Sequence, residues 1–269
     1  MSAFQNPKQI IAAAERAADR FTPVSATPVI LNSLPKSGTV LARNLLMGFY
    51  GSAATAPQIG FQHYSNGSTF LDLCAPDHRL LAGHFPFNKK AKDFLHSTPL
   101  PLRMLILIRH PLDTCYSLAR HIFRGANRNV VAQKLKETSA DFDAVVEHCI
   151  LGIREGNRQI HDVESRLGFY LAWQQQHIPT MLIRYEEMTA AIRHARNGEP
   201  APFFDKLFDF CGITPPDDWR DRIIAMSAPA LSWTHVEHDS EEDRYPNRDY
   251  FLSLLKERHP AVLGSAGYP

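Results

Sequence analysis

The sequence predicts an α/β protein: a single domain whose central parallel sheet is flanked by helices and opens with a phosphate-loop-like strand–loop–helix. Three observations predict it. Apolar runs of strand length recur at 27–34 (TPVILNSL), 78–85 (HRLLAGHF), 102–110 (LRMLILIRH) and 178–185 (IPTMLIRY). Segments with apolar residues at helical spacing separate them, an alternation that builds a parallel sheet covered on both faces. The third run is apolar on both of its faces, as a strand buried in the middle of such a sheet requires.

The elements follow in order. Residues 1–26 form an N-terminal helical extension, in which MSAFQNPKQIIAAAERAADRF reads as a short amphipathic helix; residues 27–269 form the core. After the first strand, SGTVLARNLLMGFY (37–50) puts Val40, Leu41, Asn44, Leu45 and Gly48 at helical spacing. After the third strand, PLDTCYSLARHIF (111–123) opens with Pro111 at a favoured first helical position. Residues 131–176 read as mostly helical. PAPFFDKLFDFCG (200–212) has helical spacing, and Gly212 closes it. No repeat, low-complexity tract or linker divides residues 1–269.

The bulk properties narrow the function. With 269 residues, 44% hydrophobic and 21% charged, the chain can bury an ordinary globular core. A net charge of +1 gives no global field toward nucleic acid or an anionic membrane. A small anionic ligand needs only a local basic cluster. The four cysteines, Cys74, Cys115, Cys149 and Cys211, lack zinc-ligand spacing and read as reduced, buried thiols. No stretch approaches the roughly 20 apolar residues of a membrane span. The N-terminal stretch lacks the apolar middle of a signal peptide. These features point to the cytoplasm.

In doubly covered parallel sheets, ligands bind beyond the carboxyl ends of the strands. That rule selects residues 35–39, His84 with its neighbours, and Arg109 onward. In LPKSGT (34–39), a helix start offers backbone N–H groups to an anion. Gly38 permits close approach, Ser37 and Thr39 add hydroxyls, and Lys36 adds charge. The nucleotide-loop pattern GxxxxGK[ST] places its Lys after the last Gly, whereas Lys36 precedes Gly38. Read alone, the stretch is equally a capped helix start with a surface lysine. In the second corner, Arg109 ends a strand, Pro111 and Asp113 begin the next helix and Ser117 lies about one turn further on, a fork and a hydroxyl suited to a phosphate. The alternative is a local clasp of Arg109 on Asp113. Two anion-ready corners on one sheet edge imply a ligand with two separated phosphate-like groups.

On these residues the chain resembles a known family. LPKSGT resembles the 5′-phosphosulfate loop of sulfotransferases that use 3′-phosphoadenosine 5′-phosphosulfate (PAPS), and IRHPLDTCYSLARH is similar to their 3′-phosphate motif. LIRYEEM (182–188), FCGI (210–213) and the closing LGSAGYP resemble later family segments. The resemblance implies transfer of a sulfuryl group from PAPS to a hydroxyl or amine of a small-molecule, glycan or lipid acceptor. The product would be 3′-phosphoadenosine 5′-phosphate (PAP), and no metal would be required. It implies donor-binding roles for Pro35, Lys36, Ser37, Gly38, Thr39, Val40, Arg109, Ser117 and Tyr185, and catalytic roles for His84 and Lys36. His84, in His84-Phe85-Pro86, would be the base, which an imidazole with a pKa of about 6.5 suits. A structural strand-end histidine and, for Tyr185, a core aromatic are the alternatives.

The chain also departs from the family pattern. Val40 follows Thr39 where an aromatic residue usually comes, and Ala82 stands where many members carry Lys two residues before the histidine. The RKGxxGDW segment is replaced by THVEHDSEEDRYPNRDYF. Arg244 and Arg248 are weaker candidates for its 3′-phosphate contact, with Arg124 and Arg128 as competitors. The animal dimerisation motif is not evident, so the resemblance is to a divergent, bacterial-type member, and the oligomeric state is not read. His235, His238 and Asp239 could ligate a metal, but the acidic 237–243 stretch reads as a solvated flap. Phe61, Tyr64, Phe85, Phe87 and Phe123 serve either an acceptor pocket or the core. The rival functions are a PAP-binding protein without turnover and a kinase-like phosphotransferase.

Overall fold

In the computed structural model of the chain, the structure describes residues 7–56, 78–89, 93, 102–124, 130–138, 141–232 and 244–269. Phe61, Tyr64, Cys74, Arg128, His235, His238, Asp239 and the stretch 237–243 lie outside the described residues.

The sheet has four strands: β1 (Val29–Ser33), β2 (Leu80–Gly83), β3 (Arg103–Ile108) and β6 (Thr180–Arg184), in the order β2-β1-β3-β6. All pairings are parallel, with Leu31 opposite Ala82 on one side and Leu105 on the other, and Leu107 opposite Ile183. Each strand lies inside its apolar run. Alternate side chains point to opposite faces. Ile30, Leu81, Met104, Ile106 and Ile108 feed one core, and Val29, Leu31, Leu80, Ala82, Leu105, Leu107 and Ile183 feed the other.

Helices cover both faces. The first core is closed by α3 (Pro111–Phe123), α4 (Val130–Thr138), α5 (Phe142–Leu151), α6 (Val163–Leu171), α10 (Arg248–Arg258) and α11 (Val262–Ser265). The second is closed by α1 (Pro7–Ala18), α2 (Thr39–Tyr50), α7 (Tyr185–Arg196), α8 (Pro202–Cys211) and α9 (Trp219–Met226). Ala14 and Ala18 of α1 are buried in that second core. Pro111 begins α3, and Gly212 ends α8 at φ 63° in the left-handed region, as the sequence leads one to expect.

Two local features differ from the sequence reading. Residues 131–176 contain an antiparallel hairpin, β4 (Ile153–Glu155) with β5 (Arg158–Ile160). Gly152 causes it: φ is +79°, and a Cβ there would lie 2.7 Å from the Asp162 backbone nitrogen, so α5 must end. Gly156 at φ +58° then makes the two-residue turn. The other difference is that α2 begins at Thr39 rather than Ser37, because Lys36 at φ 74° and Gly38 at φ 92° wind the preceding loop left-handed.

A buried arginine pins the second layer. Arg222 on α9 donates to the carbonyls of Thr22 (2.7 Å) and Gly48 (3.1 Å) and to Asp218 (2.8 Å). Its guanidinium lies 5.2 Å from the Phe21 ring centroid and 5.8 Å from that of Phe49. Among the described residues no helix is long and apolar enough to cross a membrane.

Candidate active site

The carboxyl ends of β2, β1 and β3 lie side by side, and the three sequence-selected places meet there. The loop after β1 is built to present polar atoms. Ser33 Oγ and Thr39 Oγ1 lie 2.8 Å apart across it, and the Ser37 N–H donates to the Leu34 carbonyl at 3.1 Å. The Ser37 N–H is therefore spent inside the loop. The N–H groups of Gly38, Thr39, Val40 and Leu41 precede the first intrahelical bond, from Ala42 N–H to the Gly38 carbonyl at 3.0 Å, so they have no acceptor within α2. Ser37 is fully buried, and its Oγ has no partner among the described residues. A buried hydroxyl left unpaired costs about 1–3 kcal/mol, so it marks a place where a ligand atom would be stabilising. Pro35 is half-buried, and Val40 is buried on α2.

Lys36 has its pKa pushed down to about 8, first by burial and then by Arg124 and Arg109. An anion arriving there would relieve both the desolvation and the repulsion. His84 follows β2, and its Nδ1 lies 2.6 Å from the Ser33 carbonyl. A carbonyl only accepts, so Nδ1 carries the hydrogen and Nε2 carries the lone pair. Burial, with Lys36 as a further cause, holds the imidazole below its ordinary range.

Asn32 explains why the His84 turn is held. Its amide donates to the Phe85 carbonyl at 2.9 Å and accepts from the Phe85 N–H at 2.9 Å. Trp173 Nε1 donates to the same carbonyl at 2.7 Å. Asn32 has no exposure in the middle of a strand, and a polar residue interrupting an apolar strand was the signal that could have found it. Phe85 is 1% exposed and belongs to the core; Phe87 packs edge-on to Trp173 at 5.3 Å.

At the end of β3, Arg109 donates to Tyr245 Oη at 3.0 Å and lies 3.7 Å from Asp113 Oδ2. The Tyr245 hydroxyl passes its own hydrogen to that oxygen at 3.0 Å, and Arg248 donates to Asp113 Oδ1 at 2.7 Å. One carboxylate thus faces two guanidiniums, an excess of positive charge suited to a further anion. The clasp of Arg109 on Asp113 exists as one edge of this network. Arg248 joins it; Arg244 is exposed, with its guanidinium 5.3 Å from the Tyr245 ring and its carbonyl accepting from Arg120. Ser117 lies half-buried on α3.

Tyr185 bridges the two corners. Its ring packs on Gly38, where an added Cβ would come within 2.5 Å of Cδ2, and the Arg109 guanidinium sits 4.7 Å from its centroid. The ring is half-buried at the strand end and also packs against the second core, as its core-aromatic reading has it.

Sequence reasoning also passed over His121, Tyr245 and Glu186. His121, one turn beyond Ser117 on α3, has its pKa pushed down to about 4 by burial, Lys36 and Arg124; helical spacing from Ser117 could have found it. Beside Arg124, the residues Arg120, Phe123, Phe142 and Pro246 line a hollow of ≈ 310 Å³. Among the described residues no group of three or more His, Cys, Asp or Glu side chains could hold a metal ion.

The fold is similar to that of mouse sulfotransferase SULT7A1, solved in complex with PAP, with a TM-score of 0.61 and 14% identity over 94% of this chain and 91% of that one. The sulfotransferase domain from the curacin biosynthetic pathway also matches, at 15% identity over 93% of this chain and 99% of that one, with a TM-score of 0.49. At such identities the likeness is one of fold. No protein-family model matches the chain, and no curated protein matches it.

Proposed function

We propose that this single-domain chain is a PAPS-dependent sulfotransferase that acts on a hydroxyl or amine of a small-molecule, glycan or lipid acceptor. One observation carries the reading: two cationic, anion-ready corners stand at adjacent strand ends, and a half-buried tyrosine ring bridges them. A ligand with a phosphosulfate at one end, a phosphate at the other and a flat base between fits that arrangement. The unpaired Ser37 hydroxyl supports it from the loop side. The fold shared with a PAP-bound sulfotransferase is consistent with it.

In this reading the donor supplies an activated sulfuryl group. Pro35, Lys36, Ser37, Gly38, Thr39 and Val40 hold its 5′ end, with Lys36 stabilising charge on the leaving oxygen. Arg109 and Ser117 hold the 3′-phosphate, with Arg248 and Arg244 in support. Tyr185 takes the adenine. His84, its Nδ1 hydrogen engaged by Ser33, accepts the acceptor's proton on Nε2. Positioning and fixed charge supply most of the acceleration. The three buried free cysteines among the described residues, Cys115, Cys149 and Cys211, suit a reducing cytoplasm.

The test compares ligands and variants. PAP should raise the melting temperature more than AMP does, and Lys36→Ala or Arg109→Ala should remove most of that gain. His84→Ala should keep PAP affinity while lowering turnover of an accepted substrate by about 10²–10⁴-fold. Equal shifts with PAP and AMP would sink the donor assignment. ATP with Mg²⁺ outcompeting PAP would favour a phosphotransferase.

A further inference from the structure

Glu186 stands at the crossing of three elements. One carboxylate oxygen accepts the backbone N–H of His110 at 3.0 Å, and the other accepts the Tyr268 hydroxyl at 2.6 Å. His110 immediately follows Arg109 and caps α3. Glu186 itself immediately follows Tyr185, in the first turn of α7. Its charge therefore sits at the positive ends of two helices, where a carboxylate is stabilising. The His110 ring lies edge-on to the Tyr268 ring at 5.1 Å, and His110 Nδ1 lies 3.8 Å from Asp113 Oδ1.

The segment after α11 is shaped to deliver Tyr268 to this point. Gly267 adopts φ +71°, and the Tyr268 N–H returns to the Leu263 carbonyl at 2.9 Å, a left-handed helix-ending turn. Arg184 holds the turn from outside, donating to the Ala266 carbonyl at 3.0 Å. A Cβ on Gly267 would overlap the Arg184 guanidinium. The sequence Ala266-Gly267-Tyr268 thus threads between Arg184 and Glu186.

We propose that Tyr268 and Glu186 are positioning residues: they clasp the His110 backbone so that Arg109 is aimed at the donor's 3′-phosphate. The inference rests on the donor assignment above. Tyr185 is seated separately by its packing on Gly38, so the clasp governs the 3′-phosphate corner rather than the base. Burial and the bond to Glu186 push the Tyr268 hydroxyl well above its ordinary range, so it remains a donor across the working pH range.

PAP and AMP differ only in the 3′-phosphate, so the ratio of their affinities reads that corner. Isothermal titration of both ligands is carried out on the full chain, on Tyr268→Phe and on Glu186→Ala. Tyr268→Phe keeps the ring and loses one bond. It should weaken PAP binding by about fivefold to tenfold, the net worth of one ordinary hydrogen bond, and leave AMP within about twofold. Glu186→Ala, losing both bonds, should weaken PAP further with AMP again nearly unchanged. Melting of each variant without ligand checks folding. If the unchanged protein prefers PAP but both variants keep its ratio, the clasp is overturned. If PAP and AMP weaken equally, the role is merely structural and the clasp is also overturned. If the unchanged protein binds PAP no better than AMP, the donor assignment itself has failed.

Discussion

Lys36 combines a left-handed backbone with a depressed pKa, and both follow from the loop it occupies. A non-glycine residue at φ 74° carries strain that neighbouring contacts must hold in place. With its pKa pushed down to about 8 by burial and by Arg124 and Arg109, the ammonium is partly lost in mildly alkaline solution. The charged form is the one that binds an anion, so ligand-free protein must take up a proton to bind PAP above that pH. PAP affinity should therefore fall as pH rises through about 8, approaching about tenfold per pH unit for one linked proton. Lys36→Arg, whose guanidinium does not titrate there, should flatten the alkaline limb when affinity is followed from pH 6.5 to 9.5; an unchanged limb would remove Lys36 as its source. His84 works in the opposite sense. In the proposed reaction its neutral form is the base, and burial holds its pKa below the ordinary value. The acid limb of turnover should then lie below about 6.5, and an acid limb at or above that value in a pH–rate profile would argue against His84 as the base.

The β1–loop–α2 unit depends on Gly38. Its φ of 92° is a glycine conformation, and a side chain there would strike the Tyr185 ring. Gly38→Ala should destabilise the fold by about 1–3 kcal/mol. It should also weaken PAP binding, because relief of the clash moves Tyr185 off the loop; denaturant unfolding and titration read the two effects, and full PAP affinity in Gly38→Ala would count against Tyr185 in the site. The four strands were legible because their period and their both-face apolarity are local properties of each run. The start of α2 was not, since two left-handed residues consume the first apparent turn of helix. The hairpin at 153–160 was announced only by Gly152 and Gly156 inside a helical pattern. At the site, Lys36, His84 and Arg109 could be read because each ends a strand run and such ends line up in a parallel sheet. Asn32 bracketing Phe85, Tyr245 on Asp113 and Tyr268 on Glu186 span 53, 132 and 82 residues. No local pattern encodes those pairings; they exist only once the layers have packed.

Across the whole molecule, the sheet ends that carry the site are steadied by contacts far from it. Residues 245–268 reach the Arg109 corner through Tyr245, Arg248 and Tyr268, while the opposite layer is tied by Arg222. Arg222 is 4% exposed and joins α9 to the carbonyls of Thr22 and Gly48, ahead of β1 and on α2 respectively. Arg222→Met keeps much of the stem packing but leaves both carbonyls unpaired in the interior. The expected cost is about 2–4 kcal/mol, seen as a melting point lower by about 5–10 °C for a domain of this size. Arg222 donates to none of the strand-end groups of the candidate site, so in the proposed reading the folded fraction should bind PAP as before. Ligand at about 100 times its Kd should add about 2.7 kcal/mol to both proteins, shifting the two melting curves in parallel. A smaller shift in the variant, with the curves drawing apart at saturating PAP, would mean instead that the variant unfolds the candidate site locally, and would make Arg222 part of the route by which the helical layer holds the loop after β1.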